Sequence, residues 1–115
     1  MSPPARSELI AKRGVYAPVF AALGDPTRLS LVAKLCGGQP CSISTLTADT
    51  KLTRQAVTKH LRVLQQARLV HSTREGRESR FALDPQPIEA AKQYLDLVSK
   101  QWDDALGRLR AFVES

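Results

Sequence analysis

The chain has 115 residues, 43% of them hydrophobic, which suits one domain with a modest core and excludes a disordered chain. Its two cysteines, Cys36 and Cys41, are too few for a disulfide framework, and a four-ligand zinc site would need both histidines, His60 and His71, which lack paired ligand spacing with them. No apolar run approaches the roughly 18 residues that span a bilayer, and none of signal-peptide length follows Arg6, Lys12 and Arg13, so the chain reads as soluble and cytoplasmic, with no membrane partner.

The net charge of +6 is unevenly placed. Residues 51–80 hold eight basic residues, Lys51, Arg54, Lys59, Arg62, Arg68, Arg74, Arg77 and Arg80, against Glu75 and Glu78 alone, while the rest of the chain balances nine against nine. All the excess charge therefore lies in about a quarter of the chain, the electrostatic footprint of nucleic-acid binding.

In chain order, residues 1–14, with Pro3 and Pro4, read as a flexible arm, and residues 15–115 as one domain. A first helix carrying Val15, Val19, Phe20 and Leu23 ends near Gly24, and Pro18 means that it is kinked or starts late. Asp25-Pro26 opens a second helix, since Asp accepts from free helical N–H groups and Pro fits the first helical position. Leu29, Leu31, Val32 and Leu35 form its inner side, and Gly37-Gly38 ends it. Residues 42–49 form a short third helix led by Ser42 or Ser44, with Ile43 and Leu46 inward. A tight turn over 50–52 leads to a fourth helix, capped by Thr53 and running to about Ala67. Strands at Leu69–Thr73 and Ser79–Leu83 flank a turn at Glu75-Gly76. Asp84-Pro85 and Pro87 break the chain before a last helix from about Ile88 to Val113. The expected fold is mainly α with a small β-hairpin, ordered α-α-α-α-β-β-α: a winged helix-turn-helix.

On the fourth helix, Val57, Leu61 and Leu64 share one side, at i, i+4 and i+7. Arg54, Gln55, Thr58, Lys59 and Arg62 share the opposite arc, whose Arg and Gln side chains suit bidentate contact with base edges in a major groove. Thr53 offers a hydroxyl and a helix-start N–H to a phosphate. His60, at the edge of the buried side, is expected to pack and hydrogen-bond rather than read bases. In the hairpin, Arg74 and Arg77 flank the turn and Arg80 follows it, and such a basic wing can lie along the backbone or enter the minor groove.

In the last helix apolar residues recur at 88, 91, 95, 98, 102, 105, 109 and 112, in alternating steps of three and four, and Leu106 and Val113 widen the stripe. The small domain cannot cover all of it, so a second copy is the expected cover, making a homodimer. Val15, Val19, Leu95, Val98, Trp102, Leu106, Leu109 and Phe112 are the expected interface. Cys36 reads as a buried apolar residue of the second helix and Cys41 as an incidental loop residue. Their proximity around Gly37-Gly38 also permits a strained disulfide, hence a thiol-redox-responsive repressor.

Four regions carry a family resemblance. Residues 19–29, Val-Phe-Ala-Ala-Leu-Gly-Asp-Pro-Thr-Arg-Leu, look like the second-helix signature of the ArsR/SmtB family of bacterial repressors. Residues 52–64, Leu-Thr-Arg-Gln-Ala-Val-Thr-Lys-His-Leu-Arg-Val-Leu, resemble its recognition helix. Ala-Arg-Leu-Val at 67–70, Arg-Glu-Gly-Arg at 74–77 and Phe-Ala-Leu-Asp-Pro at 81–85 match its wing. Trp102, Leu106 and Leu109 resemble a branch with tryptophan in the last helix. The resemblance implies a homodimeric repressor of double-stranded DNA, paired through its first and last helices and often released by a metal, an oxidant or another signal. Arsenic-sensing members carry Cys-Val-Cys at the start of the third helix, where this chain has Ser42-Ile43-Ser44 with Cys41 one place before. Zinc-sensing members use Asp, His and Glu on the last helix, which here has no His. No metal site and no cofactor is therefore expected, and the effector is left open. The basic face alone also permits a protein-interaction module of winged-helix fold. An enzyme is not expected, since no glycine-rich phosphate loop, paired-carboxylate context or nucleophile with a supporting His is present.

Overall fold

A computed structural model describes the backbone of residues 5–114 and the side chains of residues 10–114. The order is α1 (Ala5–Leu23), α2 (Pro26–Leu35), β1 (Cys41–Ser42), α3 (Ile43–Thr47), α4 (Arg54–Gln66), β2 (Val70–Glu75), β3 (Glu78–Leu83) and α5 (Pro85–Glu114). Helix α1 begins at Ala5, inside the segment 1–14 expected as an arm, and runs on through Pro18, while residues 1–4 lie outside the described residues.

Local chemistry explains most boundaries. Asp25 caps α2, its carboxylate accepting from the Arg28 N–H at 3.0 Å, with Pro26 in the first turn. Gly38, at φ 84°, takes the left-handed turn that leads away from α2. Ser42 caps α3 by accepting from the Thr45 N–H at 3.1 Å. Thr50 locks the turn into α4: its hydroxyl donates to the Thr47 carbonyl at 2.9 Å and accepts from the Leu52 N–H at 3.2 Å. Thr53 caps α4, accepting from the Ala56 N–H at 3.1 Å. Past α4, Arg68 rather than a glycine takes the left-handed conformation, at φ 62°.

Three elements differ from expectation. Pro85 and Pro87 do not break the chain but sit in the first turn of α5, where helical N–H groups have no partner to lose, and Asp84 accepts from the Gln86 N–H at 3.1 Å. Cys41 and Ser42 form a short strand opposite Phe81 and Arg80, so the sheet has three strands in the order β1-β3-β2. The wing strands reach further than expected, pairing Glu75 with Glu78 and leaving Gly76, at φ 64°, and Arg77 as the tip.

The core gathers Leu31 and Leu35 of α2, Leu46 of α3, and Val57, Leu61 and Leu64 of α4. Leu69, Val70 and Phe81 of the wing base join it, as do Val19 and Ala22 of α1 and Ala91 of α5. Leu29, expected on the inner side of α2, is instead 52% exposed. At about 100° per residue it lies about 160° around the helix from Leu31 and about 120° from Leu35, on the outer side. α1 packs on α5 through Tyr16 and Phe20, whose rings lie 4.7 and 6.0 Å from that of Tyr94. Among the described residues no helix is long and apolar enough to cross a membrane.

Candidate nucleic-acid interface

Helix α4 divides as its sequence implies. Val57, Leu61 and Leu64 are wholly buried, which fixes which face turns outward. Arg54, Gln55, Thr58, Lys59 and Arg62 line one open cleft of about 350 Å³, closed on one side by Ile43 of α3. Arg54, Gln55, Lys59 and Arg62 are exposed and Thr58 is half-buried. The Thr58 hydroxyl donates to the Arg54 carbonyl at 2.7 Å, so toward an outside group it can act only as an acceptor. Thr53 is exposed, and because its oxygen accepts the capping bond, its O–H is left to donate outward.

The wing arginines separate. Arg74 and Arg77 are exposed, and Arg77 lies at the tip. Arg80 is half-buried and turned inward: its guanidinium lies 3.6 Å from Glu75 and 3.5 Å from Glu78. The two glutamates face each other across the ladder, a like-charge pair that repels, and Arg80, two pairs further in, offsets both. The Gln65 amide donates to the Ser72 hydroxyl at 3.2 Å, tying the wing to α4.

Behind α4 lies a polar cluster that capping signals revealed only in part. The Arg28 guanidinium donates to the Ala22 carbonyl at 2.6 Å and the Ala21 carbonyl at 3.4 Å, at the end of α1. It also lies 3.3 Å from His60 Nδ1. Asp25 lies 4.0 Å from Arg28 and 3.9 Å from His60. The Arg28 backbone N–H holds the Asp25 carboxyl below its ordinary value of 3.8, helped by the Arg28 charge and the Thr27 N–H, against a push from desolvation. His60 thus packs and hydrogen-bonds, as expected. Lys51 and Arg68 are also exposed basic residues near α4, and charge alone was the signal for them.

The expected dimer residues divide as well. Val15, Leu95, Trp102, Leu106, Leu109 and Phe112 are exposed, Trp102 at 65% and Phe112 at 79%, and Val98 is half-buried. Val19 is a correction: at 8% exposure it belongs to the monomer core beside Ala22 and is not available to a partner. The cysteines exchange their expected settings. Cys36 is exposed at the end of α2, while Cys41 packs half-buried on the core from β1, and both are free. Among the described residues no group of three or more His, Cys, Asp or Glu side chains could hold a metal ion.

The comparisons agree with this architecture. A family model described as a helix-turn-helix domain matches residues 23–73. The HTH-type transcriptional regulator Rv2034 of Mycobacterium tuberculosis is 35% identical over 96 residues, covering 84% of this chain and 86% of that protein. The HTH-type transcriptional regulator CmtR of the same organism is 44% identical over 72 residues, covering 63% of this chain and 60% of that protein. The solved structure of an ArsR-like transcriptional regulator from Rhodococcus sp. RHA1 superposes with a TM-score of 0.80 at 32% identity, covering 91% of this chain and 95% of that one. A buried-backed basic helix, a basic wing and these relatives converge: the chain belongs to the ArsR/SmtB family of winged helix-turn-helix proteins and is a DNA-binding transcriptional regulator.

Proposed function

We propose that the chain is a cytoplasmic repressor that binds a palindromic operator as a homodimer, by binding rather than catalysis. In this reading the Arg54, Gln55, Thr58, Lys59 and Arg62 arc enters the major groove, Thr53 holds a phosphate at the helix start, and Arg74 and Arg77 grip the backbone beside it. Arg80 acts indirectly, by shaping the wing. The observation that carries the reading is the exposed basic arc of α4, held outward by three buried residues on its other side and flanked by the wing. The uncovered stripe of α5 supports the dimer, whose two α4 helices would meet half-sites about 34 Å apart, one duplex turn.

Selection of binding sites from random duplex DNA tests this, followed by affinity measurement across salt. A palindromic site bound in about the nanomolar range, weakening steeply with salt as counterions are released, is expected. Equal binding to all sequences, or insensitivity to salt, would sink the reading.

A further inference from the structure

We infer that His60 and Arg28 form a positioning pair that sets the rotation of α4 about its own axis, and through it the sequence selectivity of the base-reading arc. The inference rests on the proposed role of that arc. Three apolar side chains, Val57, Leu61 and Leu64, press α4 onto the core. Apolar burial is non-directional, so it sets the depth of the helix better than its rotation. A hydrogen bond is directional, weakening steeply as it is misaligned. His60 is the polar residue of α4 seen to reach the α1–α2 junction, meeting Arg28 at 3.3 Å.

Arg28 is itself held in place. It donates to two carbonyls at the end of α1, and its own backbone N–H bonds to Asp25 at 3.0 Å. A guanidinium can only donate, so His60 Nδ1 accepts and the imidazole carries its proton on Nε2. The pair therefore ties α4 to a point shared by α1 and α2. Side-chain atoms lie about 5–6 Å from a helix axis, so a rotation of about 10° moves the arc by about 1 Å. That is enough to misalign a bidentate contact with a base edge, while phosphate contacts, whose long side chains can follow, tolerate it.

The test compares His60→Ala and His60→Asn with the parent on the selected operator duplex and on a non-operator duplex of equal length. Asn places a carbonyl oxygen near the position of Nδ1 and can accept from Arg28. His60→Ala is expected to lose about tenfold in operator affinity with non-operator affinity unchanged, and His60→Asn to recover to within about threefold. An unchanged operator-to-non-operator ratio in His60→Ala overturns the inference. So does a parallel fall on both duplexes, or an Asn variant as poor as the Ala variant. If His60→Ala does not fold, His60→Leu, which keeps bulk without an acceptor, is read by the same ratio. Arg54→Ala and Gln55→Ala run alongside. If they too leave the ratio unchanged, the base-reading role of α4 fails. If they lower it and His60→Ala does not, the positioning role alone fails.

Discussion

Single side chains on this surface have separable duties. Arg54 and Gln55 face outward from the first turn of α4, so Arg54→Ala or Gln55→Ala should relax sequence choice, costing about 1–3 kcal/mol at the affected base pair in a competition series. Arg77 sits at the wing tip, and Arg77→Ala should weaken all duplexes evenly and reduce the salt slope by about 1. Arg68 holds a left-handed backbone at φ 62°, a conformation that costs an L-residue roughly 1–2 kcal/mol and glycine nothing. Glycine's greater freedom in the unfolded chain offsets part of the gain, so Arg68→Gly should stabilise by about 0.5–1 kcal/mol, seen as a Tm rise of a few degrees. Asp25 makes a pH prediction. Its folded-state carboxyl is held below 3.8, so its contribution is present above the unfolded value and is lost as pH falls through the lowered one. Asp25→Ala should melt earlier than the parent at neutral pH, and the two melting curves should converge as pH falls below about 3.8. A gap that stays constant with pH would contradict that role.

At the scale of elements, the wing carries its own restraint. Glu75 and Glu78 face each other, and Arg80 is spent on them. Glu78→Gln removes one of two like charges and leaves more of the Arg80 charge to the surroundings. Affinity for operator and non-operator duplexes should rise together, with a steeper salt dependence, in a fluorescence anisotropy titration. Element legibility followed local chemistry. Asp25, Ser42 and Thr53 were readable as caps because a capping side chain acts on an N–H three residues away. The buried side of α4 was readable because its period is strong and its polar side is unmixed. β1 was not readable. Two residues carry no period, and Cys41 and Ser42 are a strand only because β3 lies beside them. Pro85 and Pro87 were misread because a proline pair breaks a helix interior but fits its first turn, and the start of α5 was decided by Asp84.

At the scale of the molecule, α5 is the dominant feature. Its 30 residues make a rod about 45 Å long in a particle whose longest extent is 66 Å. Its first turns pack on the domain through Ile88, Ala91 and Tyr94, whereas Trp102, Leu106, Leu109 and Phe112 meet water. Trp102→Asp with Leu109→Asp should shift sedimentation from dimer to monomer and lower operator affinity by at least tenfold, while the far-ultraviolet spectrum is kept. Dimers that survive the double substitution would place the interface elsewhere. The periodicity, the caps and the clustering of positive charge made the fold class and the DNA-facing arc legible in the chain, because each rests on near neighbours in sequence. Tertiary structure alone decided that Val19 is core rather than interface, that Arg80 faces its own glutamates, and that Arg28 meets His60 from 32 residues away. Val19 and His60 meet residues distant along the chain, and Arg80 meets Glu75 and Glu78 only through the register of the hairpin, so no local pattern encodes which of several compatible partners the packing brings within reach.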